Sequence, residues 1–308
     1  MRIILAGSPA FAVPILQRLI ASQHQVICVV TQPARPAGRG LVLADPPVKQ
    51  AATEAGIEVH QPEKFNAREF LDVLAAKEPD LIVTAAYGRI FKRRALDLPK
   101  LGCVNLHASL LPRYRGVAPI NWAIINGERE TGVTTFFMEE GVDTGDIILA
   151  RATAIDDNET AGQLTERLSL IGAEVLLETC DAIEQGTAPR VRQDASQASY
   201  APKLAKDDGR VTWEAEALSV HNRIRGTSPW PGAFCDFRGQ RLKLLSSGLG
   251  GPGGSPGRII AIDSRMGILV SCKRESVWLK TVQAQGKRPT AGADFARGYR
   301  IKVDDAFG

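Results

Sequence analysis

Arg2-Ile-Ile-Leu-Ala-Gly7, then Ser8-Pro-Ala-Phe-Ala-Val-Pro-Ile-Leu-Gln-Arg-Leu-Ile-Ala21, then Gln25-Val-Ile-Cys-Val-Val-Thr31: this opening stretch decides the fold class. Ile3 to Ala6 form an unbroken apolar run, which reads as a buried strand. Gly7-Ser8-Pro9 is a turn, and Phe11 to Ala21 carries helical periodicity, with Pro14 tolerated in the first turn. Gln25 to Thr31 is a second strand, rich in Val and Ile. Strand, helix and strand in that order make a βαβ unit, and such a unit builds a parallel sheet.

Outward from there the alternation continues. Helices are expected over 48–55, 67–77 and 117–126, with strands over 57–60, 81–86 and 132–138. A long helix follows over 160–185. The turn at Gly7 lacks the G-x-G-x-x-G spacing, so the sheet is Rossmann-like without a dinucleotide site. Composition shifts to unpatterned Ala, Gln, Ser, Pro and Arg around 187–205. The expected organisation is therefore a catalytic domain over 1–189, a linker over 190–206 and a second domain over 207–308. In the second domain a short helix over 215–225 precedes strands over 233–237, 240–246, 257–263, 267–271 and 276–283. Five short strands with glycine turns predict a small β-barrel of OB-like topology, with 248–257 as a flexible Gly/Pro loop.

Apolar residues make up 44% and charged residues 23% of the 308, as in globular proteins that bury a core. The net charge of +4 is unevenly spread. Residues 1–204 carry 21 Lys and Arg against 24 Asp and Glu, while residues 205–308 carry 17 against 10, a net of +7. A basic last third points to a polyanionic partner, nucleic acid above all. Five scattered cysteines with no C-x-x-C pair fit a reducing compartment. The N-terminus is too short in apolar residues for a signal peptide, and no run reaches the length of a membrane span. A cytoplasmic monomer is expected.

The chemistry concentrates in Cys103-Val-Asn-Leu-His-Ala-Ser-Leu-Leu-Pro-Arg-Tyr-Arg-Gly116. Asn105 and His107 stand two apart on a strand, so both point to one face at the strand's end. That is where open α/β sheets place their sites. The acidic turn Glu139-Glu-Gly-Val-Asp-Thr-Gly-Asp146 supplies Asp143. An amide that donates to a developing oxyanion, an imidazole that carries a proton and a carboxylate suit transfer of an acyl-type group to an amine or water. No metal is expected, because no second His or Cys stands at ligand spacing. Ser109 has no G-x-S-x-G context as a nucleophile, and His24, His60 and His221 read as surface or packing residues. Between Gln32 and Pro47, four prolines, two glycines and two arginines exclude helix or inner strand. Arg35 and Arg39 on such an arm suit phosphate contacts, and a solvated surface loop is the plain alternative.

Asn105-Leu-His-Ala-Ser-Leu-Leu-Pro-Arg-Tyr-Arg-Gly116, followed by Gly141-Val-Asp-Thr-Gly145, resembles the formyltransferases that use 10-formyltetrahydrofolate. Leu5 to Ala12, Thr31 to Gly40, Tyr200-Ala-Pro-Lys-Leu204, Trp213, Ser228-Pro-Trp-Pro231 and Gly286-Lys-Arg-Pro289 are similar to the members acting on methionyl initiator tRNA. The resemblance implies transfer of a formyl group to the α-amino group of that tRNA's methionine. It makes Asn105 the oxyanion donor, His107 an assisting donor, and Asp143 the group that fixes His107 and relays the amine proton. It further implies that Ser109, Leu110, Leu111 and Pro112 bind the tetrahydrofolate, with Tyr87, Gly88, Ile90, Glu140 and Val142 lining its pterin pocket. The arm bearing Arg35 and Arg39 would enter the tRNA acceptor stem, and the basic barrel would hold the rest. The alternatives are a transformylase of the same fold acting on a small amine, such as an amino sugar nucleotide, and an RNA-binding module with a structural Asn/His pair. On this reading Arg39→Ala is expected to raise KM for tRNA in steady-state kinetics and leave KM for the formyl donor alone. Equal damage to both would make the arm structural.

Overall fold

The structure is a computed structural model and describes residues 1–37 and 42–308. Its elements are β1 (Arg2–Gly7), α1 (Val13–Ile20), β2 (Gln25–Val30), β3 (Arg35–Ala37), β4 (Val42–Ala44), α2 (Pro47–Glu54), β5 (Val59–His60), α3 (Arg68–Ala75), β6 (Leu81–Ala85), α4 (Arg93–Leu96), β7 (Cys103–His107), β8 (Arg115–Gly116), α5 (Pro119–Ile125), β9 (Glu130–Phe137), β10 (Ile147–Ala154), α6 (Ala161–Glu184), β11 (Tyr200–Ala201), α7 (Ala217–Gly226), β12 (Ala233–Phe237), β13 (Gln240–Pro252), β14 (Ile259–Asp263), β15 (Gly267–Ser271), β16 (Glu275–Ala284), β17 (Thr290–Ala291) and α8 (Gly292–Gly298). They fall into two compact units. One comprises Met1–Pro119, Thr131–Thr153 and Thr165–Ala201, and the other Ile120–Glu130, Ala154–Leu164 and Pro202–Gly308.

The first unit is built on a seven-stranded sheet of order β10-β9-β7-β6-β1-β2-β5. β1 pairs in parallel with β2 and β6, β6 with β7, and β2 with β5. Ile3 to Ala6 and all of β6 are buried, as unbroken apolar runs require of inner parallel strands. The Rossmann-like reading therefore holds for the five parallel strands. β9 runs antiparallel to β7, and β10, which continues that side of the sheet, is a strand the sequence did not announce. Its Ala-rich Ile147-Ile-Leu-Ala-Arg-Ala-Thr-Ala154 is half exposed and lacks apolar alternation. On the arm, β3 and β4 pair antiparallel as a separate two-stranded sheet, Arg35 with Ala44 and Ala37 with Val42; Arg39 lies outside the described residues.

The second unit carries an antiparallel sheet of order β12-β13-β16-β15-β14, with β17 added on β16. The small β-domain expected from the sequence is present, with two differences. β13 runs on to Pro252 through the Gly-rich stretch expected as loop. Its glycines permit this: a Cβ on Gly250 would lie 2.4 Å from Ser276 Oγ on β16. In addition, β12 and β14 are joined by the chain from Asp304 to Gly308 rather than by pairing with each other. Asp236 on β12 exchanges two 2.9 Å backbone hydrogen bonds with Gly308, and Ile259 on β14 donates to Asp305 at 2.9 Å and accepts from Asp304 at 2.8 Å. The inserted segment also anchors the core, because buried Phe307 packs at 5.4 Å from Phe237 and 6.1 Å from Trp213.

All five cysteines are free and buried, and burial pushes Cys28, Cys103, Cys180 and Cys272 up to about 12, so none offers a thiolate. Among the described residues no helix is long and apolar enough to cross a membrane. Phe307→Ala should cost about 3–5 kcal/mol, the usual loss for a buried Phe, and open β12 and β14 together. Native-state hydrogen exchange of their amides measures this; unchanged protection would mean the segment only covers the edge.

Candidate active site

β7 buries Val104 and Leu106 and presents Asn105 and His107 on its other face. Asn105 stands in register with Thr84 on β6, whose buried hydroxyl donates to Asn105 Oδ1 at 2.7 Å. The amide thus has its oxygen toward Thr84. Its acceptor is used, and Nδ2 is left without a partner among the described residues, as a free pair of N–H donors on a half-buried side chain.

His107 is 6% exposed, and its Nε2 lies 2.9 Å from the carbonyl oxygen of Tyr114. A carbonyl can only accept, so Nε2 carries the proton and Nδ1 is the basic nitrogen of the neutral ring. Nδ1 faces Asp143 Oδ2 at 3.7 Å, too far for a hydrogen bond. The ring is therefore oriented by the Tyr114 carbonyl, not by the carboxylate. Asp143 Oδ2 instead accepts the Gly116 N–H at 2.8 Å. Gly116 sits at φ 119, and a Cβ there would come within 2.7 Å of Ala201 O on the paired strand β11; only glycine fits.

The chain reaches this point by doubling back. β9 ends with Phe137 opposite Val104, early in β7, and the following turn returns to the level of His107, with Asp143 at φ 55. Buried Gln193 secures that turn. Its Nε2 donates to the carbonyls of Asp143 at 2.9 Å and Gly145 at 2.8 Å. Its Oε1 accepts from Arg115 Nε at 3.1 Å and Nη2 at 2.7 Å. Ser199 adds Oγ as acceptor for Tyr114 N–H at 2.9 Å. Thr84, Gln193 and Ser199 are parts of the site that the sequence reading missed, while Tyr114 and Gly116, quoted within the motif, had been given no role of their own. Gln193 and Ser199 fall in the stretch expected as linker, where no periodicity marks them. Thr84 alone had a signal, as a polar residue in an apolar strand.

The other expected residues surround this centre unequally. Ser109 is 1% exposed, and its hydroxyl donates to Arg113 O at 2.6 Å within its own loop. Thr134 ties that loop down, donating to Ser109 O at 2.7 Å and accepting Leu111 N–H at 3.1 Å. Leu111 is buried, whereas Leu110 and Pro112 are half-buried. Tyr87, after β6, is buried against Phe65 and Phe91, its phenol pushed up to about 12 by burial. Gly88 takes φ 71, and Ile90 is 67% exposed. Glu140 and Val142 are exposed on the Asp143 turn, and Arg35 is exposed on the arm. One group of metal-ligand type occurs among the described residues, His24, Asp181 and Glu184. It already holds an ammonium, because the Met1 amine donates to Glu184 at 2.8 Å, at the opposite end of β1 from the site.

At the end of β7 the site thus sets two N–H donors and an imidazole on one strand face, with a carboxylate held by a backbone amide 3.7 Å from the ring. That suits attack of an amine on a carbonyl-type carbon.

Comparison with known proteins agrees. Residues 1–180 match the family model "Formyl transferase", and residues 203–300 match "Formyl transferase, C-terminal domain". The methionyl-tRNA formyltransferase of Geotalea uraniireducens is 46% identical over 308 residues, covering 100% of this chain and 98% of its own. That of Acetivibrio thermocellus is 44% identical over 311 residues, covering 100% of both. In fold the chain is similar to WlaRD, a sugar 3N-formyl transferase solved in the presence of dTDP and 5-N-formyl-THF, with a TM-score of 0.68 at 19% identity over 94% of this chain and 99% of that one. Two matched domains and full-length identity leave one placement: the chain belongs to the formyl transferase family, among its methionyl-tRNA formyltransferases.

Proposed function

We propose that the chain transfers the formyl group of 10-formyltetrahydrofolate to the α-amino group of methionyl initiator tRNA, in the cytoplasm, using Asn105, His107 and Asp143. The observation that carries this reading is the placement of Asn105 and His107 on one face at the end of β7, with Asp143 Oδ2 3.7 Å from His107 Nδ1. The neutral amine attacks the formyl carbon, and the new C–N bond places negative charge on the formyl oxygen. Asn105 Nδ2 donates to that oxygen; one such donor is typically worth about 10²–10³ in kcat. The attacking nitrogen must lose a proton, and the leaving N10 of the folate must gain one as its C–N bond breaks. His107 Nδ1 takes the first and returns it, while the Asp143 carboxylate stabilises the imidazolium between the two steps.

The half-buried Leu110 and Pro112 and the exposed Ile90 and Val142 offer apolar surface for a flat pterin. Tyr87 with Gly88 shapes the loop beneath Ile90, and Ser109 with Leu111 holds the loop beneath Leu110 and Pro112. Glu140 offers a carboxylate to the pterin's N–H groups. Arg35 and Arg39 on the arm, with the +7 of residues 205–308, supply cations for tRNA phosphates.

The direct test offers the protein labelled 10-formyltetrahydrofolate with charged initiator tRNA, charged elongator tRNA or an amino sugar nucleotide. Label is expected on the initiator alone, and label only on the amino sugar would replace this reading by a small-amine transformylase. His107→Ala should lower kcat by about 10²–10⁴-fold, the usual range for an acid–base group. Unchanged turnover in a single-turnover assay would remove His107 from the mechanism.

A further inference from the structure

We infer that Gln193 is a positioning residue of the site, setting the distance between the Asp143 carboxylate and the His107 ring without touching either reacting substrate. This rests on the reading of Asp143 as a catalytic carboxylate and extends it to the residue that places it.

Asp143 cannot hold its own position. It stands on a turn flanked by Gly141 and Gly145, in the left-handed region at φ 55, and its carboxylate has one short bond, to Gly116 N–H. Gln193 closes that contact into a ring. Its amide nitrogen grips the turn on both sides of Thr144, at Asp143 O and Gly145 O. Its amide oxygen grips Arg115, the residue before Gly116, through two guanidinium N–H groups. The two strands of the ring meet again at the bond between Gly116 N–H and Asp143 Oδ2. The residue before Arg115 is Tyr114, whose carbonyl orients His107. One side chain thus fixes the turn relative to the backbone that carries the imidazole's anchor.

The chemistry of this position selects an amide. Two carbonyl oxygens demand donors at one end, and a guanidinium demands an acceptor at the other. Gln193 meets both with two donors and two accepted bonds, so its hydrogen-bonding capacity is filled. It is 8% exposed, and Arg115 is 5% exposed, so water does not readily replace a lost partner. A Glu of the same length keeps the Arg115 contact but sets a carboxylate oxygen against two carbonyls. A Met keeps the volume and loses all four bonds. The 3.7 Å gap between His107 Nδ1 and Asp143 Oδ2 is wide enough that a small movement of the turn removes the carboxylate from the ring's reach.

The test measures kcat, KM for both substrates and the pH profile of kcat for Gln193→Glu, Gln193→Met, Asp143→Asn and the Asp143→Asn/Gln193→Met double variant of the full chain. Each Gln193 variant is expected to lower kcat by about 10–100-fold, as for a misplacement of about 1 Å, with KM values within about threefold. The pH profile of kcat should lose the limb that Asp143→Asn also loses. In the Asp143→Asn background Gln193→Met should cost almost nothing further, because residues acting as a unit are non-additive. The Glu variant retains the contact with Arg115 and decides the matter if the Met variant does not fold. Wild-type kcat in both Gln193 variants with only a lowered Tm, or losses that multiply in the double variant, would overturn the inference. Full turnover in Asp143→Asn would overturn the catalytic reading of Asp143 and this inference together. Loss there with turnover kept in both Gln193 variants would overturn this inference alone.

Discussion

A single backbone N–H, that of Gly116, holds the Asp143 carboxylate at 2.8 Å, and the arrangement of the site depends on it. The bond joins two segments more than twenty residues apart in sequence. It demands a glycine, because β11 passes too close for any side chain at that position. It also frees His107 from the carboxylate. The ring takes its orientation from a carbonyl, and Nδ1 is left on the side of the carboxylate. Asn105 shows the same logic: the Thr84 hydroxyl occupies its oxygen and turns its nitrogen outward. Each of the three candidate side chains is thus held by a neutral group.

The parallel sheet supplies the platform for this. β6 and β7 end side by side, so the loops after them, Tyr87 to Ile90 and Ala108 onward, start from one edge. The antiparallel β9 breaks the pattern to a purpose. A parallel neighbour would have ended at the same edge and left no chain to return over the face bearing Asn105 and His107, whereas β9 ends at the far side and its turn comes back. The second unit solves a different problem. Its sheet has two end strands, and the chain from Asp304 to Gly308 fills the space between them by backbone hydrogen bonding, which satisfies edges that would otherwise invite pairing with another chain.

Much of this was legible in residues alone, wherever one local pattern suffices. Ile3 to Ala6 and Leu81 to Ala85 are short apolar runs with no exposed face to satisfy, as inner parallel strands require. Asn105 and His107 share a face because the strand period is two. The family resemblance carried Asp143, which its own turn would not have distinguished from a turn-forming aspartate. β10 was not legible, since a half-exposed Ala-rich strand is paired by its neighbour and not by its own pattern. The Gly-rich end of β13 was read as loop, although the absence of side chains is what lets it lie against β16.

The sequence by itself therefore determined the fold class, the strand that bears Asn105 and His107 and, through the family resemblance, Asp143 as the third candidate, because these follow from periodicity and from motifs contiguous in the chain. Only the tertiary structure decided how those three are held. Gln193, Ser199 and Ala201 come from a stretch that looks like a linker; the side chains of the first two and the carbonyl of the third meet backbone carbonyls and amides, which every residue carries and no sequence displays. Hydrogen-bond geometry at a buried site depends on which distant groups are brought together, and that is fixed by packing rather than by residue order.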